Sequence, residues 1–429
     1  MHNGVISPKK YMNLWLNNME MTVPKLLSIN SYHYRRGGSD VVYLEHAALL
    51  ESLGWESGFF SMHHPKNMET PWSKYFIDEL EFGHEYSPWQ KLIMAGKSIY
   101  SFEAQKKLEV LLNDFRPDIA HSHCIYHHLS PSILPVLKKH GVPSVMTAHD
   151  LKIACPAYKM LNDTGICEKC KDGSVLNVVK HRCVRGSLAA SAIVAVESGI
   201  QRHFEIYKNN LDAVVVPSKF FMNKFIEWGW SPEKFEYIPN YVDSSVFTPQ
   251  YQPGSYFLYF GRLAPEKGIM TLMRAAIKAG VALKVAGTGP LEAELKALQA
   301  ELQGDVEFLG YKSGQDLHQL IQNSRAVVLP SEWYENAPMS VLESFAMGKP
   351  VIGARIGGIP EMVVDDHTGW TFTSGAVEEL GQLLSRVNGL DNGALSQIGQ
   401  QARQFVAETF NRQRYVDATL ALYSRLGVR

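Results

Sequence analysis

The sequence predicts an α/β protein built from two doubly wound domains. Three observations carry this. Short apolar runs rich in Val, Ile, Leu and Phe alternate with helical stretches, the pattern of parallel strands covered on both faces. The runs fall into two series, separated at 247–255, FTPQYQPGS, where two prolines and a glycine read as a break. The length, 429 residues, suits two to three domains.

Element by element, the first series places strands at 25–30, 56–62, 118–123, 144–150 and 213–218. The second places them at 256–263, 283–287, 306–311, 326–331 and 350–355. A last helical pattern over 411–426 offers Tyr415, Ala418, Leu420, Leu422 and Tyr423 as packing positions. The expected organisation is an N-terminal extension over 1–20, a first domain over 21–247 and a second over 248–410. The terminal helix, 411–429, crosses back to the first domain.

Composition narrows the function. Lys and Arg total 42 against 43 Asp and Glu, so no global field draws nucleic acid. The longest apolar stretch, SLAASAIVAV at 187–196, is about half a membrane span. The first twenty residues lack the apolar core and cleavage site of a signal peptide, which predicts a cytoplasmic protein with reduced cysteines. Gly96-Lys97-Ser98 is not a P-loop, because Lys91 stands where that loop needs glycine. Gly287-Thr288-Gly289 is followed by Glu292 where a dinucleotide fingerprint needs its third glycine. No Asp-x-Asp occurs, so the usual seat for a metal-bound nucleotide diphosphate is missing.

The informative segment is Glu335-Asn336-Ala337-Pro338-Met339-Ser340-Val341-Leu342-Glu343. Pro338 suits a first helical turn, Glu343 falls inside the helix, and the free N–H groups at its start favour phosphate. Two glutamates on a helix are commonplace, so the weight lies in the ordered context. Phe260-Gly261-Arg262-Leu263-Ala264-Pro265-Glu266-Lys267-Gly268 precedes it, then Ala286-Gly287-Thr288-Gly289-Pro290 and Phe308-Leu309-Gly310-Tyr311; Gly357-Gly358-Ile359-Pro360-Glu361 follows.

This set resembles the retaining glycosyltransferases of family four, which have the GT-B fold of two Rossmann-like domains facing a cleft. The resemblance implies that the second half binds a UDP- or GDP-linked sugar. It places Arg262 and Lys267 on the diphosphate, where two fixed cations offset the charge of the leaving group without a metal. It places Glu335 on the sugar hydroxyls, Glu343 on the ribose and the backbone of 337–340 on the phosphate, with Asn336 among the donor-binding residues. Gly310 and Tyr311 fall at the base-contacting loop, and Gly287 and Gly289 serve backbone turns. In the first half, Tyr34-Arg35-Arg36-Gly37-Gly38-Ser39-Asp40 resembles the family's glycine-rich first loop, with Ser39-Asp40 where Ala-Glu is usual. An active-site histidine is implied near the strand ends, with His149 the first choice and His123 the second. The implied activity is hexosyl transfer to a glycan or lipid-linked acceptor in surface polysaccharide biosynthesis. An epimerase or hydrolase on the same fold and a non-catalytic nucleotide-sugar sensor are the alternatives.

Cys155, Cys167, Cys170 and Cys183 have the spacing C-x11-C-x2-C-x12-C in a turn-rich stretch. Four cysteines so close fit a structural thiolate site, with Zn²⁺ the default and an iron–sulfur cluster, free thiols or a redox pair the alternatives. The fifth, Cys124, reads as an isolated buried thiol. Lys180, His181, Arg182, Arg185, Arg202 and His203 flank the apolar helix at 187–196; that region is either a packed interdomain helix or a peripheral seat on the inner membrane.

Overall fold

The computed structural model describes residues 23–79, 94 and 96–428, so the expected extension 1–20 lies outside the described residues. The first sheet contains β1 (Lys25–Ile29), β2 (Glu56–Phe60), β3 (Ile119–Ser122) and β4 (Ser144–Thr147). A small antiparallel hairpin, β5 (Leu161–Asn162) and β6 (Gly165–Ile166), stands apart, and β7 (Ala213–Val216) and β8 (Phe235–Tyr237) complete the sheet. Its order is β2-β1-β3-β4-β7-β8, all parallel. The second sheet contains β9 (Phe257–Phe260), β10 (Leu283–Ala286), β11 (Val306–Gly310), β12 (Ala326–Leu329), β13 (Val351–Ala354) and β14 (Gly369–Phe372). Its order is β11-β10-β9-β12-β13-β14, again parallel. These are two doubly wound, Rossmann-like domains.

The strands bury both faces, which is why they read as continuous apolar runs rather than alternating ones. In β1, Leu27 and Ile29 join one core while Leu26 joins the opposite one. In the second sheet, Phe257 and Tyr259 lie on one side and Leu258 on the other. The terminal helix, Arg412–Arg425, covers the Leu26 side of the first sheet with Tyr415, Val416, Leu422 and Tyr423.

The segment at 247–255, expected as the flexible break, is fastened to the second domain. Gln250 N donates to Met347 O at 2.9 Å, Ser396 Oγ to Tyr251 O at 3.0 Å and Lys349 Nζ to Gln252 O at 2.7 Å. Val242 already belongs to the second domain's core, and Val242 N donates to Phe410 O at 2.9 Å. The outgoing and returning chains therefore meet at Val242 and Phe410.

Candidate active site

Open parallel sheets bind ligands beyond the C-terminal ends of their strands, where neighbouring connections diverge. In the first sheet that point lies between β1 and β3, in the second between β9 and β12. The loop carrying Gly37 and Gly38 leaves β1, and His123 and Cys124 leave β3. Arg262 and Lys267 follow β9, and Glu335 follows β12. Between the domains lies a cavity of about 340 Å³.

Gly38 and Ser39 line the cavity from the first domain, together with Cys124, His149 and Asp150. Glu335, Asn336, Ala337, Pro338 and Met339 line it from the second. Gly37, Arg262, Lys267, Gly289, Tyr311, Ser340 and Glu343 are not among its lining residues. Cys124 is thus half-buried on the cleft wall rather than isolated in the core.

Lys267 nevertheless joins this wall through Glu335. Its Nζ lies 2.7 Å from Glu335 Oε1, which also accepts from Ser331 Oγ at 2.7 Å. Burial alone would raise the Glu335 carboxyl, but the Lys267 ammonium, together with the Ser331 hydroxyl and the Trp333 N–H, outweighs it and holds the group below the usual carboxylate range. The Lys267 ammonium also lies 4.8 Å from the Trp333 ring centroid. Backbone packing fixes Glu335 in place. Gly357 has φ +61°, and a Cβ there would come within 2.5 Å of the Glu335 nitrogen; Gly358 N donates to Glu335 O at 2.9 Å. Gly289 answers to the same logic: a Cβ there would lie 2.3 Å from Leu263 O, against the loop that carries Arg262.

Arg262 is exposed, and its guanidinium makes no hydrogen bond or ion pair among the described residues. Tyr311 is 73% exposed, a ring open to a flat ligand surface. The helix Met339–Ala346 carries Glu343, with Pro338 one residue before it at the N-cap rather than in the first turn. Burial, with Glu45 nearby, pushes the Glu343 carboxyl up to about 7.

His149 ends a stack of imidazoles. The rings of His121 and His123 lie 5.0 Å apart and those of His123 and His149 5.1 Å apart. His149 Nε2 shares a hydrogen bond with His123 Nδ1 at 2.8 Å. His121 bonds Tyr423 OH at 2.6 Å, and His46 bonds both Tyr415 and Tyr423. Burial holds His149 down to about 4, and His121 and His123 well below the usual histidine value. His149 therefore meets the cleft as a neutral imidazole, able to bond a hydroxyl but not to supply a proton at neutral pH.

Several residues close the cleft. Asn336 Nδ2 donates to Ala148 O at 2.9 Å, and its Oδ1 accepts from Ser218 Oγ at 2.8 Å. Glu361 accepts from Lys219 N and Phe220 N, at 2.9 and 2.6 Å, at the start of the helix Lys219–Glu227. From the cysteine-bearing stretch, Lys159 Nζ reaches Glu266 Oε1 at 2.9 Å, and Glu168 accepts from Tyr334 OH at 2.9 Å. Sequence reasoning assigned Asn336 to the donor and gave no role to Lys159, Glu168 or Glu361; only the pairing of distant segments reveals them.

Cys155, Cys167, Cys170 and Cys183 line one narrow cavity of about 10 Å³. Burial pushes the Cys155 and Cys183 thiols up to about 11. Among the described residues, no group of three or more His, Cys, Asp or Glu is spaced to hold a metal ion. The helix Leu188–His203 buries Val194, Ala195 and Glu197, with Leu188 and Val196 more than half exposed. No helix among the described residues is long and apolar enough to cross a membrane.

The fold and the cleft define a glycosyltransferase of the GT-B type. Residues 36–246 match the model of Glycosyltransferase Family 4, and residues 246–405 match that of Glycosyl transferases group 1. Together the two models span almost the whole described chain, and the chain is a glycosyltransferase. It is 27% identical to an uncharacterized 42.6 kDa protein in the cps region of Klebsiella pneumoniae, over 77% of this chain and 84% of that one. It is 29% identical to O-antigen chain mannosyltransferase C of Escherichia coli, over 40% of this chain and 46% of that protein. Among solved structures, Anabaena HepE in complex with UDP-glucose superposes with a TM-score of 0.64 at 17% identity, over 93% of this chain and 99% of that one. That likeness concerns the fold alone.

Proposed function

We propose that the protein is a retaining hexosyltransferase that takes a UDP- or GDP-linked sugar and extends a glycan or lipid-linked acceptor of a surface polysaccharide. The carrying observation is the Lys267–Glu335 pair at the divergence point of the second sheet, with neutral His149 on the opposite wall. The name of the O-antigen relative supports the acceptor class, and the UDP-glucose complex of HepE supports the donor class.

In this reading Arg262 and Lys267 share the diphosphate charge, the ionised Glu335 accepts from a sugar hydroxyl, and His149 bonds another. Glu343 takes the ribose hydroxyls and Tyr311 stacks on the base. Gly37 and Gly38 give the phosphates access to the start of the helix Gly38–Glu51. The acceptor oxygen attacks the anomeric carbon on the face from which the phosphate oxygen departs. The C–O bond to the phosphate breaks as the new glycosidic C–O bond forms, and the acceptor's hydroxyl proton passes to the departing phosphate oxygen. No protein nucleophile is required.

Two further parts belong to the same proposal. Cys155, Cys167, Cys170 and Cys183 share one cavity, but as placed they are not spaced to hold an ion, so Zn²⁺ would have to draw the four thiolates together, and doing so would stiffen the stretch that bears Lys159 and Glu168. Elemental analysis that finds no metal, with all four thiols freely titratable, would remove it. The exposed Leu188 and Val196, beside Arg182 and Arg185, would rest on the inner membrane from the cytoplasmic side. Flotation with anionic vesicles checks that part.

The first test is calorimetric titration of UDP, GDP, ADP and CDP into the protein with EDTA present. Selective binding of UDP or GDP supports the donor site and names the base. Failure of all four overturns it.

A further inference from the structure

A second cavity, of about 190 Å³, opens behind the acceptor-side wall of the cleft. It offers more than about ten times the room one water needs, so a multi-atom ligand fits. Lys152 lines this cavity and Asp150 lines the cleft. Lys152 N donates to Asp150 Oδ1 at 2.9 Å, and two residues of chain span at most about 7 Å, so the two cavities share one turn as their partition.

The charges inside are unevenly satisfied. Lys152 is neutralised by Glu197 at 3.0 Å, and Lys208 lies 3.6 Å from Glu205. Lys171 makes no side-chain hydrogen bond or ion pair among the described residues. Arg202 donates only to backbone carbonyls, those of Cys170 and Ala154, and has no carboxylate partner. Two cations therefore lack counter-charges. The half-buried Trp228 ring sits beside Arg202, 5.8 Å from its guanidinium carbon.

We infer that this cavity is a second binding site, for a saccharide unit carrying a carboxylate or a phosphate. Lys171 and Arg202 take the anionic group, and the Trp228 face packs against the ring's C–H surface. Its place behind the acceptor wall makes the ligand an acidic unit of the glycan being extended. That last link rests on the proposed transfer to a glycan; the binding itself does not.

The test is calorimetry and tryptophan fluorescence on the full chain with glucuronate, glucose 1-phosphate, glucose and inorganic phosphate. Glucuronate or glucose 1-phosphate should bind at least roughly tenfold more tightly than glucose, and Lys171→Ala should weaken that binding by about tenfold. Lys171 is partly exposed, so this variant is expected to fold, and Trp228→Phe gives a second reading by shifting the fluorescence response. Lys267→Ala should leave acid-saccharide binding intact while weakening nucleotide binding. Loss of nucleotide binding in the wild type with glucuronate still bound would sink the transferase donor site and spare this one. No binding of either anionic sugar, equal binding of glucose, binding of phosphate as tight as that of glucose 1-phosphate, or an unchanged Lys171→Ala variant overturns the inference.

Discussion

Tyr334 OH donates to Glu168 Oε1 at 2.9 Å, which ties the cysteine-bearing stretch of the first domain to the residue next to Glu335. Lys224 and Trp228 converge on the same carboxylate, at 3.0 and 3.4 Å. The Lys159–Glu266 contact repeats the arrangement at the loop that bears Lys267. Two residues of one stretch thus brace both halves of the donor site.

Tyr334→Phe deletes only that hydroxyl. A hydrogen bond to a charged group contributes about 1.5–3 kcal/mol, so affinity for the selected nucleotide should fall about tenfold or somewhat more. The melting temperature should scarcely move, because each domain keeps its own core. Calorimetry and thermal unfolding on the same preparation check both. Unchanged affinity would mean that the brace does not act on the donor site.

Lys267→Ala should have two effects, since Glu335 is left as a buried carboxylate without its cation. Turnover should fall by about 10²–10³ as diphosphate stabilisation is lost. Stability should also fall, by roughly 3–5 kcal/mol, the usual penalty for stranding one member of a buried pair. Glu335→Gln should cost activity with much less stability, because an amide needs no counter-charge. Steady-state rates and denaturant unfolding of both variants separate the two effects. A Lys267→Ala protein with wild-type turnover would remove both residues from the mechanism.

The two-sheet architecture was legible because each of the ten apolar runs is a strand, and the inner ones are buried on both faces, with only the edges β2 and β11 partly open. The strands of the two main sheets that escaped, β8 and β14, are three- and four-residue edges carrying Glu236 and Gly369, which dilute the apolar signal, and the two-residue hairpin strands β5 and β6 escaped with them. The second half of the site was legible through local motifs: Glu335 and its eight following residues form one loop-and-helix unit. The histidine stack was not, because it depends on the hydrogen bond between His121 and Tyr423, residues 302 positions apart. The same holds for Asn336, whose side chain spans the cleft to Ala148 and Ser218. Spacing within one segment could not show that its amide is already engaged.

Glu343 should make nucleotide binding depend on pH. Its carboxyl, pushed up to about 7, is half-ionised near neutrality. As pH rises from 6 to 8 it becomes an anion able to accept both ribose hydroxyls, so affinity should increase over that window. Stability runs the other way: the folded value lies above the unfolded one, so the contribution of the protonated group is lost as pH rises through about 7. The nucleotide's own phosphate titrates near 6, so Glu343→Gln is the needed control. Calorimetry across the window should show a smaller pH slope in that variant; equal slopes would take Glu343 off the ribose.

Glu197 predicts the opposite slope. Its carboxylate lies 3.0 Å from Lys152 Nζ and 3.3 Å from His127 Nδ1, and both Glu197 and Lys152 have side chains only 1% exposed. Burial alone would raise the carboxyl, but Lys152, aided by His127, brings it down to about 2. A folded value below the unfolded one means that the stabilisation is present above about 4.5 and is lost as pH falls toward 2. Glu197→Ala strands the Lys152 ammonium and should cost roughly 3–5 kcal/mol at pH 7. Replacing both, Glu197→Leu with Lys152→Met, should recover much of that loss, because a buried pair's attraction is largely offset by its desolvation. The double variant should also lose less stability than the wild type between pH 4.5 and 2, since the group that titrates there is gone. Denaturant unfolding at several pH values measures all three proteins. A double variant as unstable as Glu197→Ala would mean that the pair acts through geometry, holding the helix Leu188–His203 against the turn at Lys152, rather than through charge.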